Sequence, residues 1–129
     1  MTTVLAFSNQ KGGVAKTTST LNIGVALREL NYRVLAIDMD PQGNLSMSQG
    51  INPDFLTSSM FNVLVQRLPI EDVIQRCEID IAPASIDLAG AELALSSAIG
   101  RERAPEKALM QVKHHKDFIL IDTPPPLGL

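Results

Sequence analysis

The stretch Asn9-Gln10-Lys11-Gly12-Gly13-Val14-Ala15-Lys16-Thr17-Thr18 has the residue types that hold a polyphosphate. Glycines let a backbone approach phosphate oxygens with no Cβ in the way. A helix starting behind them offers unpaired N–H groups and the positive end of its dipole. Lys16 is placed to reach β- and γ-phosphates, and the Thr17 hydroxyl to ligate Mg²⁺. Two acidic segments can complete such a site: Asp38-Met39-Asp40-Pro41 and Asp122-Thr123-Pro124. A run of apolar residues ending in Asp122 fits a Walker B strand, whose Asp supports the Mg²⁺ shell. Period two puts Asp38 and Asp40 on one side, provided the extended chain persists that far. Two carboxylates beside a polyphosphate require Mg²⁺ or a water network. Taken singly, each piece has a plainer reading. The Gly-rich stretch can be a turn with an exposed Lys, Asp122 a turn cap, and Asp38 with Asp40 a solvated acidic turn.

The elements that must position these groups follow from apolar patterning. Val4 to Phe7, Val34 to Ile37 and Phe118 to Ile121 are nearly continuous apolar runs. Such strands are expected to be buried on both faces of a parallel sheet covered by helices. Helical segments between them give a βαβ alternation. The expected fold class is therefore α/β: a doubly wound, mostly parallel sheet flanked by helices, of the P-loop NTPase type. Strand, Gly-rich turn with Lys-Thr, and helix is the layout of the phosphate-binding loop. In an open parallel sheet ligands bind at the carboxyl ends of the strands, so all three motifs converge on one edge.

The first helix is expected from about Thr17 to Leu30, well buried, with Asn31 as a left-handed stop. Asp40 to Asn44 is turn chemistry. Ser58 or Ser59 caps a short helix through about Gln66, and Pro69 opens another over Ile70 to Arg76. Ile79 to Pro83 reads as a short strand nearer an edge. Leu88 to Ile99 and Pro105 to about His114 read as helices.

At 129 residues the chain suits one domain with a real core, and 45% hydrophobic with 19% charged residues is ordinary for a globular protein. An aromatic share of 4% argues against stacking platforms for single-stranded nucleic acid. The net charge of −3 argues weakly against a nucleic-acid surface within these residues. Cys77, the lone cysteine, excludes an internal disulfide and a Cys-based metal site; it is expected to fill space, in a reducing cytoplasm. No apolar run approaches a membrane span, and no signal peptide is expected before Val4. Neither Cys77 nor His114-His115 has metal-ligand spacing. Arg101, Arg103, Lys107, Lys113 and Lys116 are mixed with Glu102 and Glu106, which favours a solvated face over a DNA patch.

The pattern Lys11-Gly12-Gly13-x-x-Lys16-Thr17-Thr18 departs from the strict Walker A box, with Gln10 and Ala15 where glycines belong. It resembles the deviant Walker A box of the ParA/MinD ATPases. Asp38-Met39-Asp40-Pro41-Gln42-Gly43-Asn44 resembles the D-x-D-P-Q-G-N box of the ParA/Soj branch. Ile119-Leu120-Ile121-Asp122-Thr123-Pro124-Pro125 resembles its Walker B strand and the start of switch II. The similarity runs through residues 1–129 in order, so the chain is expected to be the N-terminal portion of one ParA-like domain, truncated after the Walker B strand.

The resemblance implies Mg²⁺-dependent ATP binding and hydrolysis, to ADP, driving a dimerisation switch for DNA partition or cargo positioning. It implies that Gly12, Gly13, Val14, Ala15, Lys16, Thr17 and Thr18 cradle the phosphates, with Thr18 at the α-phosphate. Lys11 then acts across a homodimer interface on the partner's nucleotide. Asp40 positions or activates the attacking water, and Thr17, Asp38 and Asp122 serve the Mg²⁺ shell. The implied partners are a ParB-like activator and non-specific DNA, with no membrane; the implied location is cytoplasmic and nucleoid-associated. Basic DNA contacts and much of the adenine pocket lie later in such domains, so these residues alone are expected to bind nucleotide poorly and DNA hardly at all. Ala15 would cost roughly 1–2 kcal/mol if its backbone needed positive φ. Pro126, where the family often has Ser, would stiffen switch II. Two rival classes remain: a metabolic ligase or kinase of the same fold, dethiobiotin-synthetase-like, which has no need of Lys11, and a nucleotide-binding module without turnover.

Overall fold

The computed structural model describes residues 2–7, 14–52, 55–88 and 103–123. Five strands form one sheet: β1 (Thr3–Phe7), β2 (Val34–Asp38), β3 (Gln75–Arg76), β4 (Asp80–Ala82) and β5 (Phe118–Asp122), in the spatial order β1-β5-β2-β4-β3. All neighbouring pairs are parallel except β3 with β4, which is antiparallel. The helices are α1 (Val14–Glu29), α2 (Asn44–Ser48), α3 (Met60–Val65) and α4 (Arg103–Val112), with a 3₁₀ turn at Ile70–Asp72. This is the expected α/β architecture.

Alternation along the strands divides the core into two layers. On one face Leu35, Ile37, Ala82 and Ile119 pack with Met60, Val63 and Leu64 of α3 and with Ala108 and Val112 of α4. On the other Val34, Ala36, Ile81 and Leu120 pack with Leu45 and Ile79, and against Leu21, Val25 and Leu27 of α1. Each strand thus presents successive side chains to opposite layers. The parity continues to the strand ends: Asp38 follows Val34 and Ala36, and Asp122 follows Leu120. Both carboxylates therefore belong to the α1 side of the sheet.

Burial of β1 differs from expectation. Every residue of β2 is buried, but β1 is largely exposed, with Leu5 at 36%. Its one neighbour in the described sheet is β5, so the continuous apolar run does not by itself secure cover on both faces. Helix α1 is likewise buried along one stripe, with Thr17, Thr20 and Gly24 inward and Ile23 and Ala26 outward, rather than well buried throughout. It ends as anticipated, with Asn31 at φ 69°. Ala15 lies within α1, so its backbone is right-handed helical and the feared strain does not arise.

At Gly24, α1 lies close against the core beneath it. A Cβ there would stand 2.8 Å from Ile79 Cδ1 and 3.2 Å from Leu120 Cδ1. Both neighbours are fully buried and have little room to yield. Gly24→Val is expected to destabilise the fold by about 2 kcal/mol by overpacking, read from urea unfolding midpoints. Gly24→Ala is expected to cost far less, since better helix propensity offsets part of the shift at Ile79.

Helix α3 has the anticipated cap. Ser59 Oγ accepts from the Phe61 amide at 3.2 Å, and Asn62 Oδ1 accepts from the Ser59 amide at 2.8 Å. The expected helix over Ile70 to Arg76 is a correction. Its first turn forms as 3₁₀, burying Ile70 and Val73, and then Gln75 and Arg76 pair with Ile81 and Asp80 as the sheet's edge strand. The Ile79–Pro83 strand is β4, one position inside that edge. Helix α4 begins at Arg103, two residues before the expected start. Most of the expected Leu88–Ile99 helix lies outside the described residues. Cys77 packs against the α1-side core, as a space-filling residue would.

Candidate functional site

Strands β1, β5 and β2 are in register at their carboxyl ends: Phe7 pairs with Asp122, and Asp122 with Asp38. The ladder continues just past the strands. The Met39 amide donates to the Asp122 carbonyl at 2.9 Å, and the Thr123 amide and hydroxyl donate to the Phe7 carbonyl at 3.0 and 2.7 Å. This edge is therefore hydrogen-bonded across all three strands where the acidic motifs emerge.

Helix α1 delivers Thr17 to the same place. Thr17 is buried, and its hydroxyl donates to Asp122 Oδ2 at 3.1 Å. The Thr17 hydroxyl and the Asp122 carboxylate, 105 residues apart in sequence, are in direct contact. Lys11, Gly12 and Gly13 lie outside the described residues, as do the side chains of Val14, Ala15 and Lys16. Thr18, on the same turn of α1, is exposed.

Asp38 is fully buried, and both its oxygens accept hydrogen bonds from the chain. Oδ2 takes the Ser46 hydroxyl at 2.7 Å and the Ser46 amide at 3.0 Å; Oδ1 takes the Asp40 amide at 3.1 Å. Burial pushes its carboxyl up to about 6, against the lowering effect of the Ser46 and Asp40 hydrogen bonds, and the nearby Asp122 adds to the rise.

The extended run does not persist to Asp40. The strand ends at Asp38, and the Asp40 amide turns back to the Asp38 carboxylate. Asp40 then starts a turn of its own. Its Oδ1 accepts from the Gln42 amide at 3.0 Å, and its carbonyl from the Gly43 amide at 2.8 Å. Pro41 suits the second position of such a turn. Gly43, at φ 66°, closes it in the left-handed region and begins α2. Asp40 is buried, so its carboxylate is held rather than solvated. The two aspartates share an edge because of this local turn, not because of strand parity.

Helix α2 and its Ser46 were absent from the sequence expectations, where the segment read as turn. A small hydroxyl residue shortly after the Asp-x-Asp-Pro box was the available signal.

The donor set fits Mg²⁺. Thr17 and Asp122 offer hard oxygens, and Mg²⁺ on a nucleotide needs only one or two protein ligands beside phosphates and water. Among the described residues there is no group of three His, Cys, Asp or Glu side chains arranged to hold a metal by themselves. No helix among them is long and apolar enough to cross a membrane.

A family model described as an AAA domain matches residues 2–129. The chain is 42% identical over 129 residues to the sporulation initiation inhibitor protein Soj of Bacillus subtilis, covering 98% of this chain and 51% of Soj. It is 39% identical over 129 residues to the chromosome partitioning protein ParA of Myxococcus xanthus, covering 98% of this chain and 46% of that protein. Among solved structures, cobyrinic acid a,c-diamide synthase from Mycobacterium smegmatis with bound ADP and magnesium superposes with a TM-score of 0.94. That match has 48% identity over 99% of this chain and 53% of the synthase. The chain thus spans about half the length of these relatives. With the sheet order, the Thr17–Asp122 contact and the carboxylates at one strand edge, these matches place the chain in the ParA/MinD-type family of P-loop ATPases.

Proposed function

We propose that this sequence forms the catalytic edge of a cytoplasmic, Mg²⁺-dependent ATPase that cycles between monomer and ATP-bound homodimer to partition DNA or position a cargo. The observation that carries the reading is the Thr17–Asp122 contact, a hydroxyl near the start of α1 donating to the carboxylate that ends β5. In P-loop ATPases a hydroxyl and an acidic side chain in this relation hold the metal on the β- and γ-phosphates. When bound, Mg²⁺ neutralises charge on the phosphates as the γ-phosphoryl group departs.

The chain's own residues do the rest. The backbone of residues 12–18 and Lys16 hold the phosphates, with Thr18 at the α-phosphate. Thr17 serves the metal directly and Asp122 supports it through the hydroxyl it accepts from. Asp38 supports that shell from behind, since its oxygens are engaged by Ser46 and Asp40. Asp40 orients the attacking water and takes its proton. Lys11 neutralises phosphate charge on the partner subunit's nucleotide. The partitioning role is supported by the likeness to a protein named for chromosome partitioning, and it brings a ParB-like activator and non-specific DNA as partners.

A second reading has a specific observation in its favour: the 0.94 TM-score to a protein named as a diamide synthase. A metabolic ligase of the same fold would have no need of Lys11. The two separate on Lys11→Ala in the natural full-length protein. Under the partition reading, ATP-dependent dimerisation measured by light scattering weakens about tenfold, the loss of one charge-assisted contact. Unchanged self-association with phosphoryl transfer intact would favour the ligase.

A further inference from the structure

We infer that Ser46 is a positioning residue for Asp40, the middle link of a buried line of hydrogen bonds from the loop after β4 to the turn that carries the proposed water-orienting carboxylate. The inference rests on the ATPase reading for its effect on turnover, but the line itself stands on geometry. The Ser46 hydroxyl donates to Asp38 Oδ2 at 2.7 Å and accepts from the Ala84 amide at 3.1 Å. Asp38 in turn accepts the Asp40 amide at 3.1 Å through its other oxygen. A hydroxyl has one proton, so committing it to Asp38 leaves its lone pairs for Ala84 and fixes the direction of the whole line. Ser46, Asp38 and Ala84 are all fully buried, so water does not substitute for any member.

The far end is anchored as well. Pro83, just before Ala84, accepts the Met60 amide at 2.8 Å through its carbonyl, and the Ser85 hydroxyl lies 3.1 Å from that of Ser59, the cap of α3. The Asp40 turn is thereby tied to the start of α3 through side chains widely separated in sequence. A buried carboxylate and hydroxyl are costly compared with apolar packing. Here their return is angular: Asp38 cannot swing without breaking its bond to Ser46, and the Asp40 backbone cannot move without breaking its bond to Asp38.

Without the Ser46 hydroxyl, the Ala84 amide loses its acceptor and Asp38 keeps only the Ser46 amide on that side. The Asp40 turn then loosens while the contact of Thr17 with Asp122, which shares no hydrogen bond with Ser46, is untouched. In the full-length protein Ser46→Ala is expected to lower kcat about tenfold, with affinity for a non-hydrolysable ATP analogue within about twofold, because misplacing a group that positions a reactant costs rate rather than binding. Ser46→Thr, which keeps the hydroxyl, is expected to recover most of the lost turnover. Amide exchange by NMR reads the line without any chemistry: Ser46→Ala should speed exchange at both Ala84 and Asp40, and Ser46→Thr should not. A Ser46→Ala protein with wild-type exchange at Asp40 would overturn the inference, as would a turnover loss that merely parallels lost affinity. A wild-type protein without ATP turnover would instead overturn the ATPase reading, and the exchange result would still decide the role of Ser46.

Discussion

Asp40→Asn is expected to cut ATP turnover by about 10²–10³-fold and to leave nucleotide affinity within about twofold of the wild type. The substitution isolates charge from shape. Asp40 Oδ1 accepts from the Gln42 amide, and an asparagine oxygen accepts the same bond, so the turn through Pro41 and Gly43 is retained. The Asp40 amide still donates to Asp38, because that bond involves backbone only on the Asp40 side. What is lost is a carboxylate able to draw a proton from water in a buried setting. On the proposed role, its work is confined to the transition state, so kcat should fall and binding should not. Phosphate release under single-turnover conditions, with analogue affinity from calorimetry, gives the two numbers separately. Turnover within a few-fold of wild type would make Asp40 a turn residue, and the nucleophile's orientation would have to come from elsewhere.

The parts of this site that were legible in sequence are those whose chemistry is local. Lys16-Thr17 behind two glycines suggests a phosphate site in the sequence because hydroxyl and charge are contiguous at a helix start, and the structure sets the Thr17 hydroxyl against Asp122. Asp122 is legible because four apolar residues precede it and fix both its strand and its end of the sheet. Asp38 follows by the same logic, and register then sets it beside Asp122. Asp40 was placed on the right edge for the wrong reason: alternation assumed a continuing strand, whereas its amide folds back onto Asp38. Periodicity cannot report that, since the competing hydrogen bond comes from the residue two positions earlier. Helix α2 was invisible for a related reason. It has five residues, too few for a helical period, and begins at a left-handed glycine that also signals a turn. Ser46 gains its meaning from Ala84, 38 residues away, which no local pattern encodes. At Pro69 the local signals favoured a helix, but pairing of Gln75 and Arg76 with β4 took the chain into the sheet after one 3₁₀ turn. The exposure of β1 is likewise a matter of neighbours: Val4 to Phe7 has the composition of a central strand, and whether it is covered depends on what lies beyond it.

The carboxyl of Asp38 should make the nucleotide-free fold less stable as pH rises. Its folded value is raised from 3.8 to about 6, chiefly by burial. The folded state therefore holds a proton through a window where the unfolded chain has lost it. Below about 4 both states are protonated and the fold bears no cost from this group. Between about 4 and 6 stability falls, and above that the full penalty of a buried anion, about 3 kcal/mol, is in place. Other acidic groups titrate over the same range, so the wild-type profile alone does not isolate Asp38. The difference from Asp38→Asn does. Asparagine carries no titrating proton, although its amide must face a donor that the carboxylate accepted. The variant is therefore less stable than wild type at pH 4, and the gap should narrow or reverse by about 3 kcal/mol by pH 7.5, measured by urea unfolding in chelator. A gap constant across that range would mean that the Ser46 and Asp40 hydrogen bonds hold the carboxylate ionised despite burial. The expected trend instead makes Asp38 a destabilised anion in the nucleotide-free protein. Its cost to the resting fold and its hold on the Asp40 amide then have one origin: an anion kept from water so that its direction is fixed.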